Sequence, residues 1–527
     1  MPSQNAFDPA AHRHSLFEAL IAARERHGGK TPIVEDQDRR ILNYTDLIRA
    51  AFALGRRLSR VTAPGEHVGV LLPTSLGAVA TFFALQAIGR IPVMLNFSAG
   101  PRNVRSACAS AGVKRVLTSR RFIAQGRLEE LVEDLSAVAQ ITWLEDVRKR
   151  IGAAERAYAL MAAALPRTFA AKPDPDAPAV ILFTSGSFGA PKGVVLTHAN
   201  LLCNVAQVAD HIALDPDWVW FNPMPMFHSF GLTGGLLIPL LNGLRAFHYP
   251  SPLHYKTIPG LVRETGASVL LSTDTFLNQY ARSSEADELS ALTFVCCGAE
   301  RVRAETHQMI AERFGVQVVE GYGVTEASPV VAVNTPQDNR PGTVGRLVAG
   351  IETRIEPVEG IEVGGRLLLR GPNVMAGYLG EDGRVEAPPG GWYDTGDIVD
   401  IDADGFVRIL GRAKRFAKIG GEMVSLAAVE ELAAGAWPEN RHAVVSVADA
   451  KKGERLVLVT DRQDADAPAL LAYAKSVGAP ELAVPRRILK LGEVPMLGTG
   501  KTDYVAIQHI AETDANETPP KAARTRR

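Results

Sequence analysis

The chain has 527 residues with 46% hydrophobic residues and a formal net charge of −1 at pH 7, which allows at least two domains and a large core. A mean hydropathy of +0.02 is typical of a globular protein, and the near-neutral charge argues against nucleic acid as a bulk electrostatic partner. Its four cysteines, Cys108, Cys203, Cys296 and Cys297, have neither disulfide nor zinc spacing, so we expect reduced thiols in a cytoplasmic protein.

From about residue 30 to residue 410, short apolar runs alternate with helical stretches. The predicted strands are Val68–Leu72, Ala179–Phe183, Val269–Leu271, Phe294–Cys296 and Val316–Val319. The predicted helices are Leu76–Ile88 and Arg303–Phe314, and Gly315 has the place of a C-cap. The alternation predicts an α/β fold of sheets covered by helices.

The segment Met226–Leu244 carries no acidic or basic residue other than His228, and its length is close to that of a membrane span. It contains four glycines, Pro239 and Asn242, and it has no basic flank on its N-terminal side. These features favour a buried core helix with a leading loop over a transmembrane helix.

The pattern changes near residue 400. Val399–Ile401 and Phe406–Leu410 flank a turn that Gly405 closes, which predicts a hairpin. We place a domain boundary after Gly411, so that residues 1–411 form a large domain. Residues 412–513 then form a small α+β domain with two or three strands and two helices. Residues 514–527 have almost no apolar side chains and predict a disordered tail.

The stretch Thr184–Gly193, TSGSFGAPKG, follows a buried strand and has the composition of a phosphate-binding loop. A P-loop is one alternative, but Pro191 lacks the N–H and Gly193 lacks the hydroxyl that a P-loop places beside its lysine. The residues after Lys192 also predict a strand rather than a helix. A β-hairpin with a glycine-rich tip that could wrap nucleotide phosphates fits better, and an ordinary surface hairpin is the other alternative.

Three further segments combine glycine with polar side chains. Glu320–Glu326 ends in a carboxylate that could bind magnesium, Trp392–Asp397 places two carboxylates around a glycine, and Pro495–Lys501 ends in a lysine. Read one at a time, each could equally be a solvated turn.

Taken together and in order, these motifs resemble the acyl-adenylate-forming superfamily of acyl-CoA synthetases, adenylation domains and luciferases. The resemblance covers about residues 30 to 510 and implies a large adenylate-forming domain with a small, mobile α+β domain. It also implies that ATP and Mg²⁺ are used. The motifs that carry it are Thr184–Ser187 with Pro191–Gly193, Gly298–Glu300, Tyr322–Glu326, Tyr393–Asp397, Gly411–Arg412 and Gly500–Lys501.

The resemblance implies a role for each matching residue. Glu326 would be catalytic through magnesium, and Asp397 with Arg412 would bind the ribose of ATP or AMP. Adenine would lie against Gly298, Ala299 and Tyr322. The implied phosphate-binding residues are Thr184, Ser185, Gly186, Ser187, Gly189 and Lys192. The remaining implied nucleotide-binding residues are Glu300, Gly321, Gly323 and Thr325.

In this family a lysine of the small domain is catalytic, and that lysine corresponds to Lys501. Lys414 would be the hinge, and Gly420 with Gly421 would line the thiol tunnel. Two positions depart from the family pattern. Phe188 stands where threonine is common, and Arg415 stands where an acidic residue is usual.

The absence of acidic residues from one segment predicts the class of carboxylic acid that is activated. No Asp or Glu occurs between Asp217 and Glu264, whereas an amino-acid substrate would need a buried carboxylate for its ammonium group. The residues proposed for the acyl pocket are Phe227, His228, Phe230 and Gly231, with Leu232, Leu236 and Leu237 also considered. We expect a fatty acid, although His228 could equally be a core histidine.

A narrower resemblance connects the chain to the synthetase half of bacterial bifunctional 2-acylglycerophosphoethanolamine acyltransferase/acyl-ACP synthetases. Segments such as Pro225–Gly231 and Tyr249–Tyr255 carry it. It implies holo-acyl carrier protein as the thiol partner, with a long- or medium-chain acyl-CoA synthetase as the alternative. More remote alternatives are a luciferase-like oxygenase and a non-catalytic lipid-binding relative. We expect a cytoplasmic enzyme without a transmembrane span, with room for peripheral contact at the inner membrane.

Overall fold

The computed structural model describes residues 7–184, 191–380, 382–419, 422–449, 453–497 and 502–517. The chain divides into two compact units. Unit 1 comprises Met1–Thr353, Leu369–Tyr393 and Gly405–Val407, and unit 2 comprises Arg354–Leu368, Asp394–Asp404 and Arg408–Arg527. Unit 2 therefore takes two segments from before Gly411, and the domain boundary that we place after Gly411 stays a prediction.

The described residues form strands along the whole chain. In chain order they are β1 (Pro32–Asp36), β2 (Ile41–Asn43), β3 (His67–Leu71), β4 (Ile91–Met94), β5 (Arg115–Thr118), β6 (Gln140–Trp143), β7 (Pro178–Thr184), β8 (Lys192–Thr197), β9 (Val219–Asn222), β10 (Arg245–His248), β11 (Val269–Ser272), β12 (Phe294–Cys297), β13 (Gln317–Gly323), β14 (Val330–Val333), β15 (Arg346–Leu347), β16 (Glu352–Glu356), β17 (Gly365–Arg370), β18 (Gly377–Leu379), β19 (Val385–Glu386), β20 (Tyr393–Ile401), β21 (Val407–Arg412), β22 (Phe416–Ile419), β23 (Glu422–Ser425), β24 (His442–Asp449), β25 (Gly453–Thr460) and β26 (Arg487–Lys490).

Most α-helices of the same residues lie in unit 1, and the last three lie in unit 2. In chain order they are α1 (Leu16–His27), α2 (Tyr44–Leu58), α3 (Leu76–Ala87), α4 (Pro101–Ser110), α5 (Arg120–Gly126), α6 (Glu129–Ser136), α7 (Leu144–Lys149), α8 (Ala153–Ala164), α9 (Pro166–Phe169), α10 (His198–Ile212), α11 (Ile238–Leu241), α12 (Ile258–Thr265), α13 (Asp274–Ser283), α14 (Ala304–Phe314), α15 (Leu426–Ala436), α16 (Ala467–Ser476) and α17 (Tyr504–Glu517). A π-helix covers Phe230–Leu237.

Within the described residues, unit 1 is built on two large sheets. One has nine strands in the order β15-β14-β13-β12-β11-β9-β10-β1-β2, and the other has eight in the order β19-β18-β8-β7-β4-β3-β5-β6. The central strands of both sheets pair in parallel, for example β12 with β13 and β3 with β4. Such strands are apolar on both faces because helices cover both sides of the sheet.

The predicted α/β alternation in unit 1 is confirmed. Each predicted strand matches a strand of the structure within a few residues, and the predicted helices correspond to α3 and α14. Gly315 ends α14 with a φ of 68°, which a glycine adopts without steric cost. The charge-free segment 226–244 forms the π-helix and α11, whose residues are almost all buried.

Unit 2 contains a separate sheet of β22 to β26, with the order β23-β22-β25-β24 and β26 beside β25. Most residues of a further sheet, β16-β17-β20-β21, also belong to unit 2. The predicted hairpin corresponds to β20 and β21. The region after residue 412 holds more strands and helices than we predicted, because short runs such as Phe416–Ile419 become strands only by pairing.

The predicted disordered tail begins too early. Helix α17 continues to Glu517, and Asp514 forms an ion pair with Arg487. The ion pair joins α17 to β26, a contact that the low apolar content of this segment does not reveal. Residues 518–527 lie outside the described part of the chain. Among the described residues, no helix has both the length and the apolar character that a membrane crossing requires.

A largely buried charge cluster in unit 2 surrounds Glu430, whose side chain is 18% exposed. Arg415 donates to its Oε1 at 2.7 Å, the backbone N–H of Val444 donates to the same oxygen at 2.7 Å, and Tyr504 donates to Oε2 at 3.1 Å. The Arg415 guanidinium also lies 3.6 Å from the centre of the Tyr504 ring. Burial raises the pKa of the Glu430 carboxyl, and the cation of Arg415 opposes that shift. The residue next to the predicted hinge is thus fixed to the start of α17.

We predict that Arg415→Met lowers the stability of unit 2 by about 3 kcal/mol, because it leaves the Glu430 carboxylate buried without its cation. The matched control is Lys475→Met, which breaks an exposed pair with Glu481 and should cost at most about 1 kcal/mol. Denaturant unfolding of both variants measures the difference. Equal stabilities of the two variants would contradict the role of the cluster.

A buried histidine links the first and tenth helices of unit 1. His198 is 3% exposed, and its Nδ1 accepts a hydrogen bond of 3.2 Å from the backbone N–H of Leu16. This bond requires the neutral imidazole. Burial lowers the pKa of His198 from 6.5 to about 4.

This pKa predicts a specific pH dependence. The folded-state pKa lies below the unfolded value, so between pH 6.5 and about 4 the unfolded chain binds a proton that the folded chain does not. His198 contributes up to about 3 kcal/mol to the free energy of unfolding. This contribution is present above pH 6.5 and is lost as the pH falls towards about 4. Denaturant unfolding across this range should show a shallower pH slope in His198→Gln, and an unchanged slope would contradict the prediction.

Candidate active site

The predicted phosphate hairpin is built by β7 and β8. These strands pair antiparallel, with Thr184 opposite Lys192 and Phe183 opposite Gly193. The segment after Lys192 is therefore a strand, which confirms the hairpin and excludes a P-loop followed by a helix. The structure places Thr184 and Lys192 at the two ends of the tip. Ser185, Gly186, Ser187 and Gly189 lie outside the described residues.

A short strand between β8 and β19 connects this hairpin to the predicted magnesium ligand. Strand β18 pairs antiparallel with β8, and Tyr378 lies opposite Val194. The Lys192 ammonium lies 5.0 Å from the centre of the Tyr378 ring, within cation–π range. The Tyr378 hydroxyl donates to Oε1 of Glu326 at 2.6 Å. Residues from three distant parts of the sequence therefore meet in unit 1.

Glu326 lies on the short turn Thr325–Ala327 that follows β13, and it is only 7% exposed. The Tyr393 phenol is close enough to Glu326 and Tyr378 for both to act on its pKa. Burial raises the pKa of both phenols, and the neighbouring carboxylate raises it further. Both hydroxyls therefore stay protonated, and the hydrogen bond from Tyr378 holds the Glu326 carboxylate in place. We call Lys192, Tyr378, Glu326 and Tyr393 the Glu326 cluster.

No pattern in the sequence identifies the two tyrosines as neighbours of Glu326. Tyr393 lies inside a motif that we singled out for its aspartates, and Tyr378 follows Gly377 in a short segment without a distinctive spacing. The available signal was a tyrosine close to a glycine in each segment, which is too common to be informative.

The ends of β12 and β13 bring two predicted nucleotide-binding segments side by side. These strands pair in parallel, with Cys297 opposite Glu320. A Cβ atom at Gly298 would lie 3.7 Å from the carbonyl oxygen of Gly321, and one at Gly323 would lie 2.5 Å from that of Pro329. Only glycine fits at Gly323 without displacing the backbone. The two chain segments thus leave a narrow backbone surface at this edge.

The other predicted residues of this region have defined partners. Ala299 has a φ of 69°, and the Glu300 carboxylate accepts a bond of 3.0 Å from the backbone N–H of Thr275. Tyr322 is half-buried on β13. The Ser229 hydroxyl donates to that of Thr325 at 3.4 Å, which connects the predicted acyl segment to the turn of Glu326.

The predicted acyl segment lies close to Gly298. A Cβ atom at Gly298 would be 3.6 Å from the ring of Phe230, and one at Gly231 would be 2.2 Å from the carbonyl oxygen of Pro225. Phe227 is buried, with its ring centre 4.7 Å from that of His228. His228 is only half-buried. The three leucines considered for the pocket are fully buried members of the main core: Leu232, Leu236 and Leu237.

The predicted ribose-binding pair belongs to unit 2. Asp397 is 3% exposed and accepts a bond of 3.1 Å from Nε of Arg412, whose side chain is 61% exposed. The backbone of Lys414 lies in the short turn Ala413–Arg415. The Lys414 side chain is not among the described parts of the chain. The same holds for all of Gly420, Gly421 and Lys501.

The residues present fit a magnesium ion that is shared with a nucleotide. Among the described residues, no group of three or more His, Cys, Asp and Glu side chains could hold a metal by itself. Magnesium commonly takes one or two carboxylates together with water and substrate phosphates. A single, fixed Glu326 carboxylate beside the phosphate hairpin matches that donor set.

Comparison with curated proteins shows extended similarity. Over 498 residues the chain is 29% identical to a feruloyl-CoA synthase of an Amycolatopsis species, covering 91% of this chain and 94% of the relative. It is 28% identical over 340 residues to the medium-chain fatty-acid–CoA ligase of Escherichia coli strain K12, covering 62% and 60% of the two chains.

Solved structures share the fold. The anthranilate CoA ligase AuaEII in complex with anthranoyl-AMP superposes with a TM-score of 0.81 at 20% identity, covering 97% of this chain and 100% of that one. The O-succinylbenzoate CoA synthetase MenE of Bacillus subtilis, in complex with ATP and magnesium, gives 0.78 at 19% identity and covers 93% and 99%. These agreements confirm the predicted class, a large sheet domain with a smaller C-terminal domain. The family described as AMP-binding enzyme matches residues 20–379, more than half of the sequence, and the chain belongs to this adenylate-forming family.

Proposed function

We propose that this protein is an AMP-forming acid–thiol ligase. A carboxylate attacks the α-phosphate of ATP and gives acyl-AMP and pyrophosphate. A phosphopantetheine thiol then attacks the mixed anhydride and gives a thioester and AMP. The observation that carries the proposal is the Glu326 cluster, in which a buried carboxylate is fixed beside the phosphate hairpin of an adenylate-forming chain.

The first step brings two anions together. A cation that contacts both the carboxylate and the α-phosphate offsets their repulsion and fixes their geometry. We assign this role to Lys501. Glu326 would hold magnesium, which supplies neutralisation of phosphate charge when it is bound. The hairpin ends at Thr184 and Lys192 would hold the outer phosphates together with the tip residues between them.

We assign the remaining nucleotide contacts within each unit. Adenine would lie against Gly298 and Ala299, with Tyr322 on the neighbouring strand β13. The buried Asp397 carboxylate, oriented by Arg412, could accept hydrogen bonds from a ribose diol. We propose Lys414 as the hinge of a small domain of residues 412–513, with Gly420 and Gly421 along the path of the thiol.

The acid is proposed to be apolar. The segment Phe227–Gly231 presents aromatic rings and no carboxylate, so nothing in it would bind an ammonium group. A fatty acid fits this surface, and the similarity to a medium-chain fatty-acid–CoA ligase supports it. The similarity to a feruloyl-CoA synthase favours an aromatic acid as the second candidate.

Coenzyme A is the thiol that the relatives support. Three basic side chains of unit 2 that would help attract acyl carrier protein are paired within that unit: Arg415 with Glu430, Lys418 with Glu359, and Arg487 with Asp514. Such pairing reduces the field that would steer an acidic partner. Acyl carrier protein remains a prediction that depends on the narrower resemblance, as does a cytoplasmic location.

Product analysis tests the proposal. Mass spectra are recorded after incubation of the full chain with ATP, magnesium and either a fatty acid or ferulic acid, with CoA in one arm and holo-acyl carrier protein in the other. We expect fatty acyl-CoA together with AMP. Lys501→Ala is the control and should slow acyl-AMP formation about a hundredfold or more. The ligase proposal would be refuted if no arm contained acyl-AMP. It would also be refuted if acyl-AMP formed but reacted with oxygen and gave no thioester.

The Glu326 cluster makes a second prediction. In Tyr378→Phe the carboxylate loses a hydrogen bond that orients it, so the magnesium concentration for half-maximal adenylation should rise about tenfold. Near-normal rates should return at saturating magnesium. Binding of Mn²⁺ in the presence of ATP, measured by electron paramagnetic resonance, should weaken by the same factor.

The matched control for this prediction is Tyr44→Phe. Its hydroxyl also donates a buried hydrogen bond, at 2.5 Å to the carbonyl oxygen of Leu240, but it lies outside the cluster. This variant should lose stability without changing the magnesium dependence. Identical metal curves for wild type and Tyr378→Phe would show that the tyrosine does not position the metal ligand.

A further inference from the structure

Helix α8 of unit 1 has one packed face and one exposed face. Its buried residues are Glu155, Ala159, Ala162 and Ala163, and it packs against α2. The opposite face is apolar except for Arg156. Its exposed residues, through the end of the helix, are Ala153, Ala154, Arg156, Ala157, Leu160, Met161, Ala164 and Leu165.

The large side chains on this face are unusually open. Leu160 is 56% exposed, Met161 is 51% exposed and Leu165 is 59% exposed. They lie within two turns of helix, at spacings of one and four residues, so they form one continuous apolar strip. Isolated exposed leucines are common on protein surfaces, but a contiguous strip of this kind marks an interaction surface.

The exposed charges that precede and follow the strip along the chain are basic, although carboxylates from other segments pair with some of them. Between residues 147 and 173, every exposed charged side chain is basic, and these are Arg148, Lys149, Arg150, Arg156, Arg167 and Lys172. Among the acidic groups nearby, Glu155 is buried and paired with Arg57 and Arg60. Asp146 at the start of the basic run is paired with Arg120. Arg167 is neutralised by Glu18 and Glu25, which leaves the excess at Arg148–Arg150 and Arg156.

We propose that the exposed face of α8 docks on an anionic lipid membrane surface. An apolar helix face flanked by lysine and arginine lies in the interface plane, with its side chains among the acyl boundary and its cations at the headgroups. With 12 residues, α8 is too short to span a bilayer and can only lie on it. A second copy of the chain fits this face less well, since a symmetric contact would oppose the two basic flanks.

This docking is independent of the proposed ligase chemistry, and it would bring unit 1 to the membrane, in which apolar acids dissolve.

The test uses flotation of the full chain with vesicles of phosphatidylcholine alone or mixed with phosphatidylglycerol. We expect binding to the mixed vesicles only, weakened by salt. Leu160→Ser combined with Leu165→Ser should reduce the partition coefficient about tenfold. Combined reversal of Arg148, Lys149 and Arg150 to glutamate should abolish binding.

The matched control is Ile41→Ser combined with Val138→Ser, which removes two apolar side chains of unit 1 that are 48% and 42% exposed. This variant should bind like the wild type. Activity of the α8 variants without vesicles should equal that of the wild type, so failure of docking is distinguishable from failure of the ligase proposal. Equal vesicle binding by all variants would overturn the proposal. The proposal would also be overturned if light scattering showed a wild-type dimer that does not bind vesicles and if the double serine variant were a monomer.

Discussion

The hydrogen bond from Tyr378 to Glu326 is the interaction on which the candidate site depends. A carboxylate that is 7% exposed must be compensated, since an unpaired buried charge is strongly unfavourable. The Tyr378 hydroxyl supplies part of that compensation without neutralising the charge. The carboxylate can therefore remain available for a metal. A cationic side chain in place of the tyrosines would satisfy the burial and would also compete with the metal.

The position of Tyr378 is set by strand pairing rather than by its local sequence. Strand β18 is only three residues long, and it is held by pairing with β8, which also carries Lys192. The same edge of the sheet therefore orients the end of the phosphate hairpin and the partner of the metal ligand. Displacement of β18 by one residue would turn the tyrosine to the other face, because side chains alternate along a strand.

Close backbone approach is the second constraint on unit 1. The end of β13 can approach Pro329 because Gly323 has no side chain, since a Cβ atom there would lie 2.5 Å from the Pro329 carbonyl oxygen. Similarly, a Cβ atom at Gly345 would lie 2.0 Å from the backbone of Val333. In unit 2 the departure at Arg415 has a physical explanation. An arginine at this place compensates the buried Glu430 and packs on Tyr504, whereas an acidic residue would repel Glu430.

The sequence by itself determined the α/β class, the strands that precede the motifs at Thr184, Gly298 and Glu320, the phosphate hairpin and the adenylate-forming family. Those features depend on local composition and on motif order, both of which are written along the chain. Only the tertiary structure decided which residues meet. Tyr378 reaches Glu326 through strand pairing between distant segments, Leu232 and its neighbours are buried in the main core, and α17 continues to Glu517. Burial and pairing are properties of the folded surroundings, so no local pattern encodes them.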